Sequence, residues 1–412
     1  MATWLTGLLV LASSAMAHAD PASGSKKEEL PPRRYEFVPL VGVGGNSDVG
    51  LELGISATLA RFYDDARPYK WLLGVALSSS FKTGDGRGLR MLQQYHVLHL
   101  DLPGLFGGRV RIDSRANIAR NISTRYDGLG NASSIKDLPL GPLPLRRNEY
   151  IAQNVRIRSL VRVKTGTPFD AGFAAHLRYE FPEAYPGSKL EYDAKYSGLA
   201  GTERALLAGV AGGLILDTRD FEFAPHRGIY YQLGVLGMVG SAERVAYGEV
   251  STQLASYIPL GPSMTLATRV FASFQFGRVP FYVLQQGGVF EPEHMVGDDR
   301  GVRGIPEGRY AGHIKVIANY ELRTTFIPPF HVLSWILQIG TTTFFDAGRV
   351  WNNYDTSAFD GRTPGIKYSV GGGFYFQWDR SSVLRLEVAY SPTDHEPSGF
   401  PLGYYLADRL IF

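Results

Sequence analysis

Along much of this chain, apolar and polar residues alternate one for one. From Val49 to Ala60, Leu51, Leu53, Ile55 and Leu59 fall on one side of an extended backbone, and Glu52, Gly54, Ser56 and Thr58 on the other. Between Arg109 and Ile118, the set Arg109, Arg111, Asp113, Arg115 and Asn117 opposes Val110, Ile112, Ser114, Ala116 and Ile118. His313, Lys315, Asn319, Glu321 and Arg323 likewise oppose Ile314, Val316, Ala318, Tyr320 and Leu322, and Arg385 and Glu387 oppose Leu384, Leu386, Val388 and Tyr390. An edge strand of a soluble sandwich alternates in the same way. Repetition along nearly the whole length, with no helical period between, instead predicts a wall with one face in lipid and one in a polar lumen.

Counting such segments predicts about sixteen strands, an even number as a single-chain bacterial barrel requires. They lie near 35–43, 50–61, 69–80, 90–101, 107–119, 149–163, 168–180, 203–217, 227–239, 244–258, 262–276, 311–325, 335–349, 364–378, 382–391 and 403–412. The segments Arg90–Asp101 and Arg244–Tyr257 alternate poorly and are placed by spacing. Short connections at 102–107, 165–168, 260–262 and 379–381 take turns with long ones near 120–148, 181–202, 277–310 and 392–402, which assigns the short set to the periplasm and the long set to the outside. The expected fold is an all-β transmembrane antiparallel barrel over 35–412, sited in a bacterial outer membrane.

Residues 1–19 carry an apolar run followed by small residues in an A-x-A pattern, which predicts a signal peptide cleaved after Ala17 or Ala19. Its apolar run is far shorter than the ~20 residues of a spanning helix. Residues 20–34 (DPASGSKKEELPPRR) are charged and proline-containing and read as a disordered lead-in, too short for a folded periplasmic domain.

Composition agrees with this picture: 48 Gly, 23 Tyr and 23 Phe suit tight turns and aromatic girdles, and 0 Cys avoids stray disulfides in an oxidising compartment. A net charge of +3 is too small to argue for nucleic acid as a partner. The sequence has no G-x-S-x-G and no paired metal-ligand spacing, so neither an enzyme nor a cofactor is expected.

Three stretches carry a resemblance. LDTRD at 216–220 is followed by PHRG at 225–228, GDDRGVRGI occupies 297–305, and FFDAG occupies 344–348. Their order and strand context resemble the bacterial surface-antigen family of outer-membrane barrels, the superfamily of BamA, TamA and the two-partner-secretion transporters. The resemblance assigns Asp217, Arg219, Asp220 and Gly228 to the first motif. It assigns Val302, Arg303 and Gly304 to a V-R-G loop motif with Ile305 in the usual aromatic position, and Phe344, Asp346 and Gly348 to F-x-D-x-G. It implies a sixth outer loop folded into the lumen with Arg303 on Asp346. Strand parity independently puts Phe344, Asp346 and Gly348 on the inner face.

The family's periplasmic POTRA modules have no counterpart in the stretch before the first strand. That opens two readings, a separate periplasmic partner or a different function. The family also implies action on polypeptide or lipid at the lumen and at the seam between first and last strands, the alternative being a passive or loop-plugged pore. Pro39, which cannot donate a ladder hydrogen bond, fits either an edge at the seam or the periplasmic start of the first strand, and Val41 and Leu410 are expected to be neighbours across the seam. Phe412 supplies a terminal aromatic. Inner arginines 109, 111, 115, 156, 158 and 162 form a basic cluster, open either to anionic solutes or client chains or to neutralisation by Asp113 and loop acids.

Overall fold

The computed structural model describes residues 34–46, 49–62, 69–83, 88–133, 146–222, 224–332, 335–354, 364–378, 382–394, 402–407, 410 and 412. The signal peptide and nearly all of the lead-in therefore lie outside the described residues.

The chain forms β1 (Arg34–Asn46), β2 (Gly50–Phe62), β3 (Trp71–Thr83), β4 (Leu89–Gly104), the one-turn α1 (Leu105–Gly108), β5 (Val110–Arg125), β6 (Glu149–Lys164) and β7 (Phe169–Ala184). Helix α2 (Lys189–Tyr196) precedes β8 (Ala205–Asp217), β9 (Gly228–Gly240), β10 (Ala246–Gly261) and β11 (Met264–Arg278). A two-residue ladder, β12 (Gln286–Gly287) with β13 (Glu293–His294), lies in the next connection. β14 (Ile314–Val332), β15 (Trp335–Trp351), β16 (Lys367–Trp378), β17 (Ser382–Tyr390) and β18 (Leu402–Ala407) complete the order. All except β12 and β13 pair antiparallel with their neighbours around one closed barrel. Closure is what lets strands sit in lipid, because the ladders between neighbouring strands satisfy the backbone groups of the wall, the β1–β18 joint being the exception.

Each predicted strand has its counterpart, and the parity holds. Ile55, Ile118, Ile157, Leu214, Val235, Val270 and Phe345 stand exposed on the lipid side, while Glu180, Glu249, Lys315, Asn319, Glu321 and Asp346 are buried inside.

The two poorly alternating segments have separate causes. In β4 the register against β3 shifts between Ser80 and Phe81, which inserts Leu92 and reverses the faces. In β10 the alternation is intact in space, but the inner set includes Tyr247, Ala255 and Tyr257, apolar because loop and terminal side chains pack over them.

Three expectations on the elements need correction. The 181–202 connection holds α2, started by Ser188, whose side chain accepts from the Glu191 N–H. Arg109 sits exposed in the turn before β5 instead of in the lumen. The last strand ends at Ala407, not at the terminus, and Leu410 is buried against Tyr375 and Val383. Phe412 lies near Tyr257, with its carbonyl accepting from Arg323 at 3.1 Å.

A loop lock inside the lumen

The sixth outer connection, residues 279–313, turns back into the barrel. Val302 and Ile305 are fully buried with Phe271, Met295, Val296, Tyr310, Ile317 and Val350, so Ile305 fills by apolar bulk the place assigned to an aromatic. The wall makes room with glycine: a Cβ on Gly348 would stand 2.9 Å from Ile317 and Val302 and 3.1 Å from Val296.

At the tip, Arg303 has no solvent exposure. Its Nε and Nη2 fork onto Asp346 of β15 at 2.8 and 3.0 Å, and its backbone N–H reaches the same carboxylate at 3.2 Å. The pair anticipated from the motifs is present. The sequence did not reveal its extent: Nη1 also bonds Glu321 of β14 at 2.8 Å and Glu387 of β17 at 3.1 Å, and the guanidinium carbon lies 3.3 Å from the centroid of the Phe344 ring. One cation therefore joins three strands.

The carboxylates are themselves shared. Arg323 holds Glu321 at 2.7 Å, Arg385 holds Glu387 at 2.6 Å and Asp299 at 2.6 Å, and Asn319 bridges Asp346 to the Gly301 carbonyl at 2.8 Å each. Burial alone would lower the Arg303 pKa, but Asp346, Glu387 and Glu321 hold it well above its ordinary value, so the side chain stays charged. Both Glu321 and Glu387 follow the inner-face alternation, which was the one signal in the sequence that pointed to them.

Gly304 adopts φ +84, a conformation that favours glycine, with Ala389 close to where a Cβ would go. Its N–H donates to the Tyr405 hydroxyl of β18 at 2.6 Å. Through this bond the loop tip touches the last strand of the barrel, a contact that no motif announced.

Further along the loop, Arg269 bonds Glu293 at 3.0 Å, Asn319 at 3.0 Å and the Arg300 carbonyl, and Glu249 accepts the Gly288 N–H at 2.6 Å. The basic cluster belongs here too. Arg158 donates to the Phe290 carbonyl at 2.9 Å and pairs with Asp113, while Arg115 reaches Glu291 at 3.0 Å. Arg111 is matched by Asp101, Arg156 by Glu180 and Arg162 by Asp170. These arginines are compensated and in part anchor the loop.

The first motif forms a separate periplasmic staple. Arg219 forks onto Asp217 with two bonds of 2.8 Å, the Asp220 carboxylate accepts the backbone N–H groups of His226 and Arg227, and Gly228 at φ +115 lets β9 start beneath Arg219.

The seam is a short joint among the described residues. β1 pairs with β2 over thirteen residues, from Arg34↔Phe62 to Asn46↔Gly50, but with β18, among the described residues, at Gly45↔Leu406 and Asn46↔Tyr405. Pro39 and Val41 lie exposed on the lipid side. Extending that register would bring Val41 opposite Leu410, as the sequence suggested, but Leu410 is turned inward and makes no such pair.

Residues 147–400 match the Omp85 superfamily domain. The chain belongs to the Omp85 superfamily. Among solved structures, this Omp85 barrel is similar to BamA from Haemophilus ducreyi lacking POTRA domains 1-3, with a TM-score of 0.56 at 16% identity over 92% of this chain and 70% of that one. It is also similar to CdiB from Escherichia coli, with a TM-score of 0.56 at 13% identity over 90% of this chain and 62% of that one. At such identities the likeness speaks for the fold. No curated protein matches the chain in sequence. It is an outer-membrane protein, with the lock in its lumen.

One residue of the loop is placed at a cost. Asp298 adopts φ +81, and burial, followed by the neighbouring charges of Asp299 and Glu307, raises its pKa well above the ordinary aspartate value. A carboxyl whose folded-state pKa is raised stabilises the fold below that pKa and loses the contribution as pH rises through it. Asp298→Asn is therefore expected to stabilise the barrel at neutral pH, because Asn tolerates positive φ, carries no charge and can still accept the Asp299 N–H. The unfolding temperature on heat-modifiability gels should rise by about 2–4 °C, and its gain on acidification should shrink.

Proposed function

We propose that this Omp85 barrel acts on polypeptide or lipid through its lumen and lateral seam, as a member of the assembly and translocation group. One observation carries the reading: among the described residues the β1–β18 joint holds two residue pairs, while β1 offers the rest of its edge, from Arg34 to Gly44, without a partner on that side. An edge of unpaired N–H and C=O groups is a template for adding a strand, and main-chain pairing reads backbone instead of sequence. That suits a client class defined by being extended. A separate periplasmic partner would deliver the client.

The test is a reversible seam closure. Gly44 and Ala407 occupy the next register position beyond Gly45↔Leu406, and a Cβ on Gly44 meets only the Leu406 carbonyl, at 3.4 Å. Gly44→Cys with Ala407→Cys should crosslink on oxidation, stop client capture or insertion in membranes, and release the block on reduction. Unchanged activity in the fully crosslinked protein would discard the lateral route. The Val41→Cys and Leu410→Cys pair should crosslink more slowly, because Leu410 must first leave its buried place.

A further inference from the structure

We infer that the outer rim of β5 to β8 is a binding surface for phosphorylated lipid headgroups of the leaflet it faces. The register aligns Gln94, Arg120, Gln153 and Phe181 in one row across β4 to β7 on the lipid side. Arg204 extends the row, one residue beyond the Glu180↔Ala205 pair, and its guanidinium carbon lies 3.9 Å from the Phe181 ring centroid. The row beneath it, Ile118, Val155, Tyr179 and Leu206, is apolar and exposed throughout. The basic row thus begins where the hydrocarbon-facing belt stops, at the height of headgroups.

Above it, Arg146 stacks 4.2 Å from the Tyr185 ring, and Arg90 and Arg120 lie close enough to act on the Tyr185 hydroxyl. The lumen gives the contrast. There Arg111, Arg158, Arg303 and Arg385 each have a carboxylate within hydrogen-bond reach. At the rim, Arg120 and Arg204 form no ion pair among the described residues. The acids nearby do not satisfy them: Glu183 takes the Gln153 amide at 3.1 Å, and Glu149 stands 4.0 Å from Arg146.

Guanidinium groups laid on aromatic rings keep their charge at an interface while leaving their donor edges free, and a phosphate monoester accepts two donors from such an edge. The face continues the lipid-contacting belt without a break, so the occupant is a lipid and not a soluble anion.

The full chain, refolded into phosphatidylcholine nanodiscs with a trace of bis-phosphorylated lipid A or its dephosphorylated form, tests this by native mass spectrometry of the lipids retained. Wild type should keep the phosphorylated lipid in preference, and Arg120→Gln with Arg204→Gln should lower that retention by roughly tenfold, given the contribution of each basic residue near an anionic surface. Heat-modifiability checks folding, and the single variants replace the double if it fails to fold. Equal retention of the two lipids by wild type, or equal retention by wild type and variant, overturns the proposal. Displacement of the lipid by a small excess of inorganic phosphate would mark a free-anion site and overturn the lipid assignment.

Discussion

Replacing Arg303 with Met is expected to release the sixth loop from the wall. The substitution keeps length and apolar bulk but removes the charge shared by Asp346, Glu321 and Glu387, leaving Glu321 to Arg323, Glu387 to Arg385, and Asp346 to the Asn319 amide. Breaking a buried ion pair by deleting one partner costs on the order of 3–5 kcal/mol. The variant should fold into a heat-modifiable barrel whose residues 279–313 become accessible to protease from outside.

Asp346→Asn should cost less, because Arg303 keeps two carboxylates and the amide can still accept. A double-mutant cycle of the two should show coupling. The exchange Arg303→Asp with Asp346→Arg should recover little, since an aspartate at 303 would face Glu321 and Glu387. Simple additivity with a rigid loop would remove the lock from the account.

Enlarging Gly348 tests the same lock without touching a charge. In Gly348→Leu the added carbons enter space held by Ile317, Val302 and Val296, and the backbone of β15 is fixed by its ladders to β14 and β16. Only the loop can yield, so the segment around Val302 should lift and carry Arg303 from its fork. Overpacking of this kind costs about 1–3 kcal/mol. Gly348→Ala should show a smaller version of the same effect. A Gly348→Leu barrel as protease-resistant as wild type would mean that the loop does not rest on β15.

What the sequence disclosed and what it hid follow from the range of each signal. Alternation is local, so strands and faces were readable, including the inward direction of Asp346 and Glu321. Arg303 and Asp346 were found together because two motifs named them. Glu387 and Tyr405 were not, since alternation tells which face a residue occupies but not which loop atom meets it. β10 looked irregular for a related reason: an inner face covered by the plug and by Phe412 needs apolar residues such as Tyr257 and Ala255, and that erases the polar half of the pattern. The inward placement of Leu410 leaves no trace in the alternation. Leu410 is as apolar as a lipid-facing residue would be and finds Tyr375 and Val383 instead.

The central claim is that the sixth loop, pinned by Arg303, fills the lumen of the resting barrel. Single-channel recording of the refolded full chain in a planar bilayer tests it most directly, with wild type and Arg303→Met measured side by side. Wild type should be nearly silent, and the variant should open to large, fluctuating conductance. A large, steady current through the wild type, unchanged in the variant, would contradict it.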